Sequence, residues 1–167
     1  PFGKEPIALL QAWDRRWAAD SVATTVAIHW AEELWRMVGA DPKGRAWPLF
    51  EQVASSSTSE QRLQALLAAT EKLQQDFGHW RTPWGEVNRL QRRTGDIVQP
   101  FNDSGPSIPV GFTSATWGSL ASFGARAYTG TRKWYGTSGN SFVAVVEFGD
   151  RIRARAVTAG GESGRPD

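Results

Sequence analysis

The chain has 167 residues, 40% of them hydrophobic, and nine tryptophans, which is enough apolar material for one domain with a substantial core. Its formal net charge is only +2 and its basic residues are spread along the sequence, so the pattern does not favour nucleic-acid binding. The absence of cysteine excludes disulfides and thiolate metal sites, and no apolar run approaches the roughly 18 residues of a membrane span.

Two helices are predicted in the first part of the chain. Apolar side chains recur at helical spacing in the first of them, at Leu9, Leu10, Trp13 and Trp17, after Pro6. Either Asp20 or Ser21 caps the second helix, which is expected to end at Gly39. Its predicted apolar face consists of Val22, Val26, Trp30, Leu34 and Met37. Tryptophans at this spacing belong more often to a core than to a ligand platform, and His29 is predicted to be partly buried and structural.

A third helix is predicted between a serine-rich segment and Gly78. Either Thr58 with Gln61 or Ser57 with Glu60 has the spacing of a capping box. The apolar stripe that follows is Leu63, Leu66, Leu67, Thr70, Leu73 and Phe77. Gly78 supplies the stop signal that is typical of a helix end.

The second half of the sequence is predicted to form loops and strands. Pro83 and Gly85 are expected to exclude a regular element, and a strand begins near Val87. The stretch from Gln91 to Pro109 is predicted to be a long surface loop that borders an entrance or wraps a neighbour. Strand-like segments follow at Val110 to Trp117, Leu120 to Tyr128 and Arg132 to Tyr135. Helices followed by antiparallel strands predict an α+β fold, organised as a single unit over 1–167 with a helical part, 6–78, and a loop-and-strand part, 79–160.

The last third predicts a β-hairpin. Phe142 to Phe148 and Ile152 to Thr158 have strand patterns, and Gly149-Asp150 has the sequence of a two-residue type II′ turn. Such a turn pairs Glu147 with Ile152. Directly paired residues share a face, and the predicted face consists of Val143, Val145, Glu147, Ile152, Ala154 and Ala156.

Glu147 is the one carboxylate on this otherwise apolar predicted face. A buried charge is costly unless it is paired, so such a residue is a functional-site candidate. The alternative is that Glu147 lies near the strand end and reaches water. A one-residue slip in register would also move Glu147 to a different environment.

Other chemistry-bearing residues give weaker signals. The sequence contains no phosphate-binding loop, dinucleotide fingerprint or zinc spacing, so neither a metal nor a cofactor is predicted. Ser141 begins a strand without a histidine close in sequence and is a poor nucleophile candidate. Besides Glu147, the carboxylates of the second half that are suited to acid–base work are Glu86, Asp150 and Glu162.

Three segments resemble the penicillin acylase family of N-terminal-nucleophile hydrolases, in the later part of its β chain. Leu10-Gln-Ala-Trp-Asp14 and Asp20-Ser-Val-Ala-Thr-Thr resemble its Trp-Asp…Asp-Ser helical pair. Trp80 with Pro83-Trp-Gly-Glu-Val-Asn-Arg resembles its Trp-Gly-Asp-x-His segment. The strand of Glu147 and Ala159-Gly-Gly-Glu-Ser-Gly resemble its terminal strands and its Gly-Gly-x-Ser-Gly run. The pattern is nearest to the cephalosporin, aculeacin and acyl-homoserine-lactone acylase branch.

The resemblance implies a four-layer αββα fold for the complete enzyme, cleavage of a precursor into two chains, and a periplasmic or secreted location. It implies hydrolysis of an amide between an acyl group and an amine. In that chemistry the N-terminal residue of the β chain attacks the carbonyl, with its own α-amino group as base. The implied partners are the remaining acylase polypeptide, which carries the nucleophile, and a small N-acyl amide. No cofactor, nucleic acid or membrane is implied.

Departures from the family pattern limit these expectations. Pro1 can be neither the nucleophile nor a primary-amine base, Asn88 stands where the family often has histidine, and the family's Ser-Pro-His stretch would follow Asp167. We therefore expect a scaffold portion of an acylase that is inactive alone, as a processed subunit or an excised fragment. In the cephalosporin acylase branch a glutamate on a late strand orients a histidine near the nucleophile. Glu147 resembles that glutamate, and its histidine would come from outside this chain.

Two other functions are open from the sequence. A carbohydrate-binding module would use exposed aromatic platforms, for which Trp117, Trp134 and Tyr135 are the best candidates. A structural interaction module would present an apolar surface to the rest of an enzyme and would self-associate when isolated.

Overall fold

The computed structural model describes residues 3–38, 51, 53–91 and 100–158. Its helices include α1 (Lys4–Ala12), α2 (Val22–Val38), α3 (Ser59–Phe77) and the short α4 (Trp84–Val87). Its strands are β1 (Asn88–Leu90), β2 (Ile108–Pro109), β3 (Phe123–Ala127), β4 (Trp134–Gly139), β5 (Phe142–Glu147) and β6 (Arg153–Thr158), with a 3₁₀ helix at Ala115–Trp117. Helices precede strands, which confirms the α+β class. None of the helices in these ranges is long and apolar enough to cross a membrane. Gly39, Glu162 and residues 92–99 of the predicted loop lie outside the described residues.

The connection between α1 and α2 follows from local signals. Of the two candidate caps for α2, Ser21 has the role, because its Oγ accepts a hydrogen bond from Thr24 N–H at 3.1 Å. Trp13 and Trp17 lie in the connection rather than in a helix, and their rings meet edge to face at 5.6 Å. Arg15 has a φ of 63°, a conformation uncommon outside glycine, at the point where the chain turns back.

Both ends of α3 are as the sequence predicts. Thr58 Oγ1 accepts from Gln61 N–H at 3.1 Å, and Gln61 Oε1 accepts from Thr58 N–H at 2.8 Å, which completes a capping box. Gly78 ends the helix with a φ of 82°. The predicted stripe is only partly right. Its Leu66, Thr70 and Leu73 are buried with Ala65 and Ala69, whereas its Leu63 and Leu67 remain exposed.

The core lies where α2, α3 and α4 meet β4. Its central cluster consists of Val26, Ile28, Leu66, Leu73, Trp84, Val87 and Trp134. The indole rings of Trp84 and Trp134 meet edge to face at 5.7 Å. The helical half and the sheet therefore share one core.

The first sheet has the strand order β2-β1-β4-β3 and is mixed. β1 pairs antiparallel with β2 but parallel with β4, with Asn88 opposite Trp134. The expectation of antiparallel strands throughout is wrong at this pair, because the chain crosses from β1 through β2 and β3 before it returns beside β1.

Two local predictions in the second half are wrong for identifiable reasons. The segment from Val110 to Trp117 forms a 3₁₀ helix at its end, since Ser114 Oγ accepts from Thr116 N–H at 3.1 Å and competes with strand pairing. Gly85 lies within α4, where its N–H donates to Ala19 O at 2.6 Å. A Cβ at this position would lie only 2.9 Å from Ala19 Cβ, so the glycine permits close packing instead of breaking the helix.

Candidate functional site

The second sheet is the hairpin of β5 and β6, and its register differs by one residue from the prediction. Glu147 pairs with Arg153 rather than with Ile152, and Val145 pairs with Arg155. The connection between the paired residues therefore runs over five residues, 148–152, and not over Gly149-Asp150 alone. Because neighbouring residues of a strand point to opposite faces, this slip exchanges the two faces of β6.

The face that carries Glu147 is consequently mixed. It consists of Val143, Val145, Glu147, Arg153, Arg155 and Val157. Glu147 itself is exposed, at the end of β5 and opposite an arginine. The prediction of a carboxylate on an apolar face is wrong, and the alternative that Glu147 reaches water at the strand end fits the structure. Its resemblance to an orienting glutamate stays a prediction.

His29 is not available as a partner for Glu147, because it is buried in the core. His29, expected to be partly buried, is only 3% exposed. Its Nδ1 lies 2.8 Å from Thr25 O, to which Nδ1–H donates, and its ring lies 4.9 Å from that of Trp134. Nε2 has no hydrogen-bond partner in the described part of the chain. Burial lowers the pKa of His29 from 6.5 to about 4, so the imidazole is neutral and structural.

His79 belongs to a group of side chains that no motif in the sequence indicates. Thr82 Oγ1 lies 3.4 Å from His79 Nδ1, and His79 Nε2 lies 3.9 Å from Glu86 Oε2. This connectivity is that of a nucleophile, base and acid. However, the Thr82 hydroxyl donates to His79 O at 2.6 Å, and Thr82 is fully buried. Thr82 therefore stabilises a turn and cannot reach a substrate. Ser141, the other candidate nucleophile, is exposed immediately before β5.

The proposed aromatic platforms are largely internal. Trp134 is 8% exposed and Tyr135 is fully buried. Tyr135 stacks on Phe101 at 4.8 Å, and its hydroxyl donates to Asp103 Oδ1 at 2.9 Å. Trp117 is partly buried, with its ring 5.5 Å from that of Trp35. The prediction that Trp134 and Tyr135 are exposed is wrong, since both faces of β4 are covered at this point: Trp134 packs against His29 and Trp84, and Tyr135 packs against Phe101.

A cleft of about 750 Å³ opens between α2 and the strands β3 and β4. Ile28, Trp84 and Trp134 contribute to its apolar lining, and Trp35 and Trp117 stand together at its side. No sequence signal predicted this cleft, because its walls are brought together only by the packing of a helix on a sheet.

Three charged side chains line the cleft. Glu32 comes from α2, and although the residue as a whole is exposed, desolvation of its carboxyl group and the nearby Glu33 raise its pKa to about 7. Arg36 is held by Glu33 through hydrogen bonds of 3.0 and 2.7 Å. Arg126 comes from β3, and its guanidinium lies 4.8 Å from the centre of the Tyr128 ring. Over the ranges that the structure covers, no group of three histidine, aspartate or glutamate side chains could hold a metal ion.

A comparison with protein families gives a match to the penicillin amidase family over residues 2–167. The chain belongs to the penicillin amidase family. These enzymes are N-terminal-nucleophile hydrolases, so the resemblance seen in the sequence is confirmed at the level of the family, and the more specific branch stays a prediction. A comparison with curated proteins gives no match.

Proposed function

We propose that the chain is a scaffold portion of an acylase that hydrolyses an amide between an acyl group and an amine, with a nucleophile supplied by another polypeptide segment. The family match over residues 2–167 carries this proposal. In the proposed reaction an N-terminal residue attacks the carbonyl and forms an acyl-enzyme, which water then hydrolyses. The substrate is a small N-acyl amide, and the location is periplasmic or secreted.

The arrangement of the hydroxyl groups and histidines supports the proposal that another polypeptide segment supplies the nucleophile. Thr82, the hydroxyl beside a histidine, is buried and donates to a backbone oxygen. His29 is enclosed by the core and cannot accept a proton from a substrate. In the part of the chain that the structure describes, these residues therefore stabilise the framework and do not form a nucleophile–base pair.

The hairpin of β5 and β6 supports a partner polypeptide. Phe142, Phe148 and Ile152 are 58%, 82% and 71% exposed, although all three are apolar. An isolated two-stranded hairpin is marginally stable in water, and a contiguous exposed apolar surface usually marks an interface. In an enzyme of this family, the polypeptide that would cover this apolar surface is the rest of the acylase. In that assembly the accessible carboxylate of Glu147 would orient a histidine of the partner segment.

Reconstitution tests the proposal. The chain alone should not hydrolyse N-acyl amides that release a chromogenic amine, whereas the complex with its copurifying acylase polypeptide should. Intact mass and N-terminal sequencing of the complex should reveal a second polypeptide that begins with serine, threonine or cysteine. Hydrolysis by the purified chain without such a polypeptide would contradict the mechanism.

A further inference from the structure

The cleft between α2 and the β3–β4 strands has the properties of a small-molecule site. Its volume of about 750 Å³ lies within the range of roughly 300 to 1,000 Å³ that is typical of ligand pockets. Its lining combines several indole rings with a few charged and hydroxyl groups. Such a combination buries an apolar body while fixing its orientation through polar contacts.

The charges of the cleft come from opposite walls. Glu32 projects from the helix and Arg126 from the sheet, and no ion pair joins them or engages Glu32 elsewhere in the described residues. Arg36, the second cation of the cleft, is already neutralised by its two hydrogen bonds to Glu33. The carboxyl group of Glu32 thus remains for a ligand, and so do the N–H groups of the Arg126 guanidinium, whose other contact is with the ring of Tyr128.

The aromatic lining determines the kind of apolar group that fits beside these charges. Trp84 forms part of the floor, and the edge-to-face pair of Trp35 and Trp117 forms a side wall. Indole surfaces contribute large apolar contact areas and favour planar or branched hydrocarbon groups.

We propose that this cleft binds a small zwitterion of the amino-acid class, with its ammonium at Glu32, its carboxylate at Arg126 and an apolar side chain against the tryptophans. A carboxylate pairs well with the planar guanidinium fork, and an ammonium is a donor that matches a carboxylate. The proposal does not rest on the amide hydrolysis proposed above, because all the residues involved belong to this chain.

Binding should depend on pH through Glu32. Its pKa of about 7 means that the carboxyl group is only partly ionised near neutrality, while an ammonium ligand binds the ionised form. The charged groups around it are Glu33, which raises this pKa, Lys72 of α3, which lowers it, and Arg36 and Arg126 on the cleft walls. Affinity for the zwitterion should therefore rise between about pH 6 and pH 8.

Three matched ligands test the proposal: L-phenylalanine, 3-phenylpropionate, which lacks the ammonium, and phenethylamine, which lacks the carboxylate. None of them is an N-acyl amide, so hydrolysis cannot affect the result. Titration of the protein, followed by tryptophan fluorescence and calorimetry, should show saturable binding of L-phenylalanine. The two truncated ligands should bind about tenfold more weakly or worse, as expected for loss of one charge-assisted hydrogen bond.

Two cleft variants and two controls make the assignment specific. Glu32→Gln should remove both the preference for L-phenylalanine over 3-phenylpropionate and the dependence on pH. Arg126→Gln should remove the preference over phenethylamine. Glu71→Gln on α3 and Arg151→Gln in the hairpin connection change the same charges on exposed residues outside the cleft and should bind like the unaltered protein. Absence of saturable binding, equal affinity for the three ligands, or cleft variants that behave like the controls would overturn the proposal.

Discussion

His29 occupies the core as a neutral imidazole, which should make folding sensitive to acid. Its pKa is about 4 in the folded protein and about 6.5 in the unfolded chain, so the unfolded state binds the proton first as the pH falls. The stability due to neutral His29 is present above pH 6.5 and is lost progressively towards pH 4. The full loss amounts to about 3 kcal/mol, from 1.36 kcal/mol per pKa unit.

Urea unfolding at a series of pH values measures this effect. His29→Gln, which cannot titrate, should unfold at lower urea than the original chain at neutral pH but should show a smaller decrease of the unfolding free energy between pH 6.5 and 4. Equal pH slopes for the two proteins would show that His29 does not titrate as its burial implies.

Glu147 provides the residue-level test of the acylase proposal. In the assembled enzyme, Glu147→Gln should lower kcat by about tenfold or more, because a neutral amide orients a histidine less strongly than a carboxylate does. The pH profile of kcat should also shift, since the histidine loses a neighbouring negative charge. Stability should change little, because Glu147 is exposed. Asp150→Asn, in the same hairpin, is the matched control, and equal kcat values for the two variants would remove Glu147 from the mechanism.

Single residues were predictable from the sequence only where their partners are close along the chain. Ser21 and Gly78 meet their hydrogen-bond partners within a few residues, so cap chemistry predicted Gly78 and gave Ser21 as one of two candidates, with Asp20. Glu32 and Arg126 face one cleft across nearly a hundred intervening residues. No local pattern connects two such positions, because the packing of α2 on the sheet brings them together.

The capping box of α3 makes a prediction at the scale of one element. Thr58→Ala should destabilise the protein by about 1 kcal/mol, since Gln61 N–H loses the hydroxyl that accepts its hydrogen bond. Thr58→Ser keeps the hydroxyl and should be nearly as stable as the original chain. Chemical unfolding of the three proteins measures the difference, and an alanine variant as stable as the serine variant would contradict the role of the cap.

The register of the hairpin could not be predicted from the sequence of its two strands. Gly149-Asp150 favours a two-residue turn, but the five-residue connection between Glu147 and Arg153 that the structure has is also a common hairpin length. Burial of one face normally decides between two registers. Residues on both faces of β5 and β6 are exposed in this chain, so the apolar pattern could not fix the register. For β1 and β4, likewise, parallel pairing depends on the route of the whole chain and not on either strand.

At the scale of the whole molecule, the exposed hairpin should respond to a partner. Amide hydrogen exchange over 142–157 should be fast in the isolated chain, because a two-stranded sheet exposed on both faces opens easily. Exchange there should slow at least about tenfold when the remaining acylase polypeptide is bound. The buried turns of α2 and α3 serve as the internal control and should change little. Unaltered exchange over 142–157 in an active complex would show that the partner covers another surface.

The α+β class was predictable because helical spacing fills the first half and strand patterns fill the second. Family membership was predictable because segments from Leu10 to Gly164 occur in the order that the family has. The mixed sheet and the cleft were not predictable, since both depend on contacts between segments that are far apart in the sequence. The burial of Trp134 and Tyr135 was not predictable for the same reason, because it depends on contacts with distant segments.

The composition of the core has a consequence for the order of folding during synthesis. Six members of the central cluster lie between Val26 and Val87, and the seventh is Trp134 on the strand that pairs in parallel with β1. The helical hairpin of α2 and α3 can therefore form while β4 is still being translated. Its apolar core then lacks the indole ring of Trp134. We expect a nascent chain that stops before Trp134 to be compact yet loosely packed and prone to aggregation, and the arrival of β4 to be the step that makes the fold cooperative.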